Sequence, residues 1–577
     1  MTWEDMTVSQ LKEELKTRNL AVSGTKDVLI GRLAESDAST TSPGNEGVLG
    51  RIQAVAPFAT IPVILTALGI LVAGSTGAIL YGDDLIDWIG GSPDYELIDF
   101  DPAQARTFAQ GLVDLGHPEW EGRMSGTAEE LAAAESNRNN FTEFGMGATL
   151  ESFDVPMFEV LSTPTLSVCN PGSLGGFAPC SGPDLAVGGA VTTFEHRSDF
   201  VLQGYSGTND IRYADRITVV DLGNGSEDAP WQDATLGVGV ITGNAGVGSN
   251  TELYQRAAEN DLYGLILVAA NPNPEGDESS WPGNCKIPGE ARCMPYFKSV
   301  DTSALSFIPD GISFIMVASD VGQVILDEVV NGDGLLAMFT EVDNQGSRSV
   351  QVPCGVIPGK TDDVIIFGAH HDTVYSGPGA IDDTSGSATV LELARQFQLI
   401  AEAKGDPTHT LKFCTWGGEE EGLHGSKAYV AKHLTDLQEH LRLYVNLDMN
   451  HADAERGRNL YLFGNDARDM EHVNGIVDKF KEVNPSGLAS SYTIHTSTLD
   501  GAKGSENGMP YNSDHGPFVY DIQQDEDDPR GRAVVCYGSG SWEYHTVHDG
   551  MHRFNEESLA VSGIIYGSYV QYLAWDA

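Results

Sequence analysis

From residue 363 onward the chain repeats one design, a short apolar run that ends in ionisable side chains. Asp363-Val-Ile-Ile-Phe-Gly-Ala runs into His370-His-Asp372, and Thr410-Leu-Lys-Phe-Cys-Thr-Trp-Gly-Gly runs into Glu419-Glu-Glu421. Leu441-Arg-Leu-Tyr-Val-Asn-Leu runs into Asp448, and Arg532-Ala-Val-Val-Cys-Tyr-Gly precedes Tyr544-His545. Such runs read as buried strands. Apolar residues at helical spacing lie between them, over 386–399, 425–431 and 470–482. Alternating strands and helices predict an α/β fold with an open sheet, which places functional groups at the carboxyl ends of its strands.

Upstream the pattern changes. Between 150 and 345, strand-like runs recur (Arg216-Ile-Thr-Val-Val-Asp, Gly237-Val-Gly-Val-Ile-Thr-Gly, Gly264-Leu-Ile-Leu-Val-Ala, Ile312-Ser-Phe-Ile-Met-Val) around one helix at 251–260. Another helical pattern covers 128–144. At the start, Val8, Leu11 and Leu15 behind Thr7, and Val28, Leu29 and Leu33 behind Thr25, predict two short capped helices over 1–36. Residues 37–51, rich in Ser, Thr, Gly and Asn, read as a linker.

Between these parts, 52–82 contain no charged residue. Their centre, 59–80, is mostly apolar and as a helix is about 33 Å long, enough for a hydrocarbon core. Fifty residues precede Arg51, so a signal anchor fits better than a cleaved signal peptide. Arg32 and Arg51 lie before the stretch, while Asp83, Asp84 and Asp87 follow it and no basic residue comes before Arg106. The positive-inside rule then predicts a single-pass protein of the cell membrane, with a cytoplasmic N-terminus and an extracellular body.

Charge sharpens this division. The 577 residues carry a net charge of −50, and all but a small part lies after residue 82. A body this acidic excludes a generally nucleic-acid-binding surface. All seven cysteines follow the uncharged stretch. Cys169 with Cys180, and Cys285 with Cys293, read as local disulfides or as buried thiols. Cys414 and Cys536 sit in apolar runs and read as strand-core thiols.

A single His or Glu at a strand end is usually a surface residue or a helix cap. Four strand ends in one sheet, all bearing His or carboxylate, point instead to a metal site. A His and carboxylate set without Cys suits zinc in an open catalytic site. No His-Glu-x-x-His exists, which excludes that zinc motif, and Gly204-Tyr-Ser-Gly-Thr208 lacks the last Gly of a serine nucleophile elbow. His371 faces away from His370 if the strand continues, His424 reads as peripheral, and only the Tyr-His-Thr context separates His545 from His548 three residues later.

The motifs Gly-Ala-His370-His-Asp372-Thr, Gly377-Pro-Gly-Ala-Ile-Asp382-Asp-Thr-Ser-Gly386, Gly418-Glu419-Glu420-Glu-Gly-Leu, Asn446-Leu-Asp448-Met, Ser513-Asp-His-Gly-Pro-Phe518 and Tyr544-His545-Thr-x-x-Asp549 resemble the di-zinc aminopeptidases of metallopeptidase family 28 (the aminopeptidase Y group). The resemblance covers about 83–150 and 345–577. It implies a mixed open sheet of the zinc-aminopeptidase type and two zinc ions per chain, with His370 and Asp448 on one, Glu420 and His545 on the other, and Asp382 bridging. It also implies Glu419 as general base on a bridging water and Tyr544 as a donor to the oxyanion. Asp372 would orient His370, and Asp514 would support the site from behind. The substrates implied are peptides with a free N-terminus.

The stretch 151–344 resembles a protease-associated domain inserted in the peptidase, with 122–127 and 128–144 belonging to the peptidase itself. Residues 1–36, with Leu11-Lys-x-x-Leu and Val22-Ser-Gly-Thr-Lys-x-x-Leu, resemble the SAP domain. Lys12, Lys16, Arg18, Lys26 and Arg32 could make weak DNA contact, diluted by Glu13, Glu14 and Asp27, and a protein contact is the alternative. The chain is thus expected to be a membrane-anchored zinc aminopeptidase. A zinc carboxypeptidase or other amide hydrolase on the same fold, or a receptor-like binding protein, is the alternative.

Overall fold

Eight strands form the sheet that positions the candidate site. They are β1 (Gly147–Pro156), β2 (Ser347–Ile357), β3 (Val364–His370), β4 (Thr410–Trp416), β5 (Leu441–Leu447), β6 (Asn459–Gly464), β7 (Thr493–Thr498) and β8 (Ala533–Gly538), in spatial order β1-β2-β4-β3-β5-β8-β6-β7. The four central strands β4, β3, β5 and β8 are mutually parallel, so their carboxyl ends share one edge. β1, β2 and β6 run antiparallel to their inner neighbours, which makes the sheet mixed. This computed structural model describes residues 93–577 apart from 171–179, 181–190, 243–248, 270–281, 306, 485 and 523–530, and also describes Lys26.

The core follows from the apolar runs. Ile365, Phe367, Leu411, Phe413, Leu443, Val445 and Val534 are fully buried with the helices Thr384–Lys404, Ala467–Val483 and Glu556–Gln571 on one face. On the other face, Trp416 Nε1 donates to the Tyr444 hydroxyl at 2.8 Å, which donates to Asn446 Oδ1 at 3.0 Å. Gly368 makes room for that pair, since a Cβ there would lie 2.1 Å from the Tyr444 hydroxyl. Gly386 lets the helix after β3 approach β5, since its Cβ would meet the Leu447 carbonyl at 1.8 Å.

The expectation of a free Cys414 is corrected. Cys354 on β2 and Cys414 on β4 stand opposite each other in antiparallel register and form a disulfide, with Cα atoms 4.2 Å apart. Two facing, buried cysteines this close lie well inside the limit of about 7 Å beyond which a bridge needs backbone movement. Cys169–Cys180 and Cys285–Cys293 are also bonded, and Cys536 is a buried free thiol.

β1 and β2 pair over ten residues from Gly147 to Pro156, so the sheet continues past residue 150. Apart from the short pair Glu159–Val160 with Val342–Asp343, the described residues between them build two further sheets. One has five strands, with Gly264–Val268 and Ser313–Val317 at its centre, and the other has four, with Thr165–Cys169 and Leu335–Thr340 at its centre. The helix Asn250–Glu259 begins with a capping box between Ser249 and Glu252.

The chain divides into Met1–Pro93 and Asp94–Ala577. The expected paired helices of 1–36, apart from Lys26, and the expected membrane helix of 52–82 lie outside the described residues. Among the described residues no helix is long and apolar enough to cross a membrane.

Candidate metal centre

Each chemical group stands where a central strand ends. β3 ends in His370, and the turn after it leads through Asp382 and Asp383 into the helix Thr384–Lys404. Glu419–Glu421 follow β4, Asp448 follows β5, and Tyr544 and His545 lie on the loop after β8. Met449 and His545 adopt positive φ values of 49° and 57°, a conformation uncommon for non-glycine residues.

The side chains converge as two groups with metal-ligand spacing. Asp382, Glu420 and His545 form one; His370, Asp448 and Asp383 form the other. Asp382 reaches both, with Oδ1 3.2 Å from His370 Nε2 and Oδ2 3.0 Å from His545 Nε2. Glu420 Oε2 lies 2.8 Å from His545 Nε2. Asp383 differs from its neighbour in how its oxygens are used. Oδ1 accepts from the Gly386 and Met449 amides and Oδ2 from the His370 amide, so Asp383 ties three elements together.

Both imidazoles are held by their far nitrogens. His370 Nδ1 donates to the Asp372 carbonyl at 3.1 Å, and the Asp372 carboxylate lies 3.4 Å away. His545 Nδ1 donates to the Phe297 carbonyl at 2.8 Å. These bonds fix the tautomer and turn Nε2 of each ring toward the carboxylates. His370 Nε2 and Glu420 Oε1 are buried without a hydrogen-bond partner among the described residues. Buried polar atoms normally have partners, so open lone pairs at the centre of a carboxylate cluster fit divalent cations.

Electrostatics point the same way. Burial, with the neighbouring charges of Asp448, Glu420 and Asp514, holds the Glu419 carboxyl well above the ordinary range, against the pull of His370. Burial raises Asp448 to about 6 and Asp514 to about 7. Burial works against the His545 imidazolium, but Glu420 and Asp382 overcome it and hold it up at about 9. Asp382 lies below its usual range, because its hydrogen bonds to both histidines outweigh burial. This is a site with surplus buried negative charge that added cations would relieve.

Glu419 belongs to neither group; its Oε2 is 3.8 Å from His370 Nε2, beside the metal-ligand atoms. It lines a cavity of about 480 Å³ together with Glu420, Tyr544, His545, Tyr511 and Lys298. Tyr544 stacks on His545 with ring centroids 3.6 Å apart. Asp514 is buried close behind the site. His371 turns to Glu130, 2.9 Å away, and His548 to Glu290 at 3.4 Å, so neither enters a ligand group. His424 lines the cavity wall without joining them.

Several supporting residues carried no assigned role in the sequence reading. Fully buried Arg123 donates to the carbonyls of His371 and Pro378 and to the Thr384 hydroxyl. Ser125 donates to Asp372 at 2.7 Å. Asp549 accepts from the Ile381 and Asp382 amides at 2.8 and 3.0 Å, fixing the backbone at Asp382. Arg123 and Asp549 stood within recognised motifs, whereas Phe297 and Lys298 carried no signal.

Residues 2–38 match the SAP domain, and residues 354–570 match peptidase family M28. An aminopeptidase of Pseudomonas aeruginosa is 34% identical over 114 residues, covering 20% of this chain and 20% of that protein. The chain thus aligns with about a fifth of that relative's length. Aminopeptidase YwaD of Bacillus subtilis is 27% identical over 330 residues, 56% of this chain and 64% of that protein. The solved structure of BSAP, a zinc aminopeptidase from Bacillus subtilis, superimposes with a TM-score of 0.56 at 17% identity, covering 83% of this chain and 96% of that one. That likeness shows a shared fold, and residues 354–570, which carry the metal-ligand motifs, match the model of peptidase family M28.

Proposed function

We propose that this chain is a zinc-dependent aminopeptidase. The observation that carries the reading is the Asp382 carboxylate set between two imidazoles, one oxygen toward each, with Glu420 and Asp448 flanking it. His370 and Asp448 would hold one zinc, Glu420 and His545 the other, and Asp382 would belong to both. His and carboxylate donors without thiolate suit zinc, and bound zinc supplies Lewis acidity toward a carbonyl and makes water a nucleophile near neutral pH.

The chain's own groups do the rest. Glu419 stands beside the ligands, takes the proton of the attacking water and gives it to the leaving amine. Tyr544 donates its hydroxyl proton to the oxygen on which negative charge develops. Asp372 and the Phe297 carbonyl keep the two imidazoles in the ligating tautomer. The acidic cavity favours a substrate ammonium, which supports action from the N-terminus. The test is a matched panel of free-amine and N-acetylated peptides with the full chain. Free-amine peptides should be cleaved from the N-terminus and blocked ones spared. Release of C-terminal residues from blocked peptides would establish a carboxypeptidase instead.

The chain between β1 and β2 is proposed to be a protease-associated domain, supported by the order of its strands. Membrane anchoring with an external body is supported by the uncharged stretch 52–82 and by three disulfides beyond it. A reporter fused after residue 40 should read as cytoplasmic and one after Ala577 as external. The opposite readout would reverse the topology. The SAP match leaves weak DNA contact or a protein contact as the role proposed for the head.

A further inference from the structure

The segment between β1 and β2 reaches the candidate centre. Phe297 and His545 are joined twice, by the Phe297 amide to the His545 carbonyl at 3.1 Å and by His545 Nδ1 to the Phe297 carbonyl at 2.8 Å. The next carbonyl, of Lys298, accepts from the Gly204 amide at 2.9 Å. Gly204 permits this close approach, because a Cβ there would fall 2.6 Å from Ser299 Cα. The backbone of 297–298 is therefore clamped on both sides.

From that clamp the Lys298 ammonium donates to the Tyr544 hydroxyl at 3.1 Å, and both residues line the cavity beside Glu419 and Glu420. Tyr544 is the only hydrogen-bond partner of the Lys298 ammonium among the described residues. Lys427, the other lysine on the cavity wall, is engaged elsewhere, donating to the Gly422 carbonyl at 2.9 Å. A phenol has one proton to give. With an ammonium donating to its oxygen, that proton cannot be spent on Lys298. It is left for an acceptor in the cavity, and the charged donor polarises the O–H bond toward it. The stack of Tyr544 on His545 fixes the ring, so the lysine acts on the remaining freedom of the hydroxyl.

We propose that Lys298, supplied by the inserted chain rather than by the peptidase sheet, is a positioning residue that directs the Tyr544 hydroxyl toward the reacting carbonyl. The insert is then a working part of the site and not only a cover over it. The proposal rests on the reading of Tyr544 as the oxyanion donor, and the two are separable by experiment.

The experiment is a double-mutant cycle in the full chain, with kcat, KM and zinc per chain measured for Lys298→Met, Lys298→Arg, Tyr544→Phe and Lys298→Met/Tyr544→Phe on a leucyl anilide. Outright loss of an oxyanion donor costs on the order of 10²–10³-fold, so loss of its direction alone should cost about 10–100-fold. Lys298→Met should lower kcat by that factor, with KM within about threefold and zinc unchanged. Lys298→Arg should recover most of the loss. The double variant should be no slower than Tyr544→Phe alone, since a positioning residue has nothing left to position. Multiplying losses in the double variant, or a raised KM with kcat intact, would overturn the proposal and make Lys298 a substrate-binding residue. Loss of zinc in Lys298→Met would overturn it in favour of a structural role. A Tyr544→Phe variant with full kcat would sink the tyrosine's role first and the lysine's with it.

Discussion

Glu419→Gln should give a protein that keeps both zinc ions and turns over about 10²–10⁴-fold more slowly, the usual worth of general acid–base catalysis. Glu420→Gln should be inactive for a different reason, through weakened binding of one ion. The two carboxylates are adjacent and chemically alike, but their surroundings separate them. Glu420 Oε2 is 2.8 Å from His545 Nε2 and falls within a ligand group with Asp382. Glu419 falls in neither group; its closest approach to a ligand imidazole is 3.8 Å, from a side chain that lines the cavity. An amide at 419 keeps the shape and cannot take a proton from water. An amide at 420 removes a charged donor from an ion. Zinc per chain by elemental analysis, beside turnover of a leucyl anilide, distinguishes them. The assignment of base and ligand fails if Glu419→Gln sheds zinc or retains near-normal turnover.

How much of this could be read from the sequence depends on how the chain delivers each group. His370, Glu419, Glu420, Asp448 and His545 follow apolar runs that end at one sheet edge, so four local patterns added up to one site. Asp382 and Asp383 are adjacent and identical, and no local pattern separates them. Only the fold shows that Asp383 spends its oxygens on the amides of His370, Gly386 and Met449 while Asp382 faces both imidazoles. Cys354 and Cys414 each look like a strand-core residue, and their bond depends on an antiparallel register across 60 residues. The periodicity of β1 is weak because Gly147–Pro156 is an edge strand with one buried side chain, Val155. Phe297 and Lys298 meet Tyr544 and His545 from almost 250 residues away in sequence. Periodicity reports which face of an element is buried, and it carries no information about a loop that docks against another part of the chain.

Asp382→Asn should cost more metal than any other single substitution at this centre. Its two oxygens lie 3.2 and 3.0 Å from the imidazoles of the two ligand groups, and the residue is only 4% exposed. Replacing one oxygen by an amide nitrogen leaves at most one ion with its full donor set, and it removes the shared charge that holds both cations close together. His370→Ala or Asp448→Asn, by contrast, touches a single group and should leave the second ion largely in place. The backbone at position 382 should not collapse, because Asp549 accepts from the Ile381 and Asp382 amides whatever side chain they carry. Thermal stability provides an independent reading. Ligands that bind only the folded state stabilise it by mass action. In the wild type, a chelator removes those cations and exposes Asp382, Glu419, Glu420 and Asp448 to mutual repulsion. The difference in Tm with and without chelator should therefore be large in the wild type and clearly smaller in Asp382→Asn. Two zinc ions per chain and an undiminished chelator effect in that variant would show that Asp382 does not bridge the two groups.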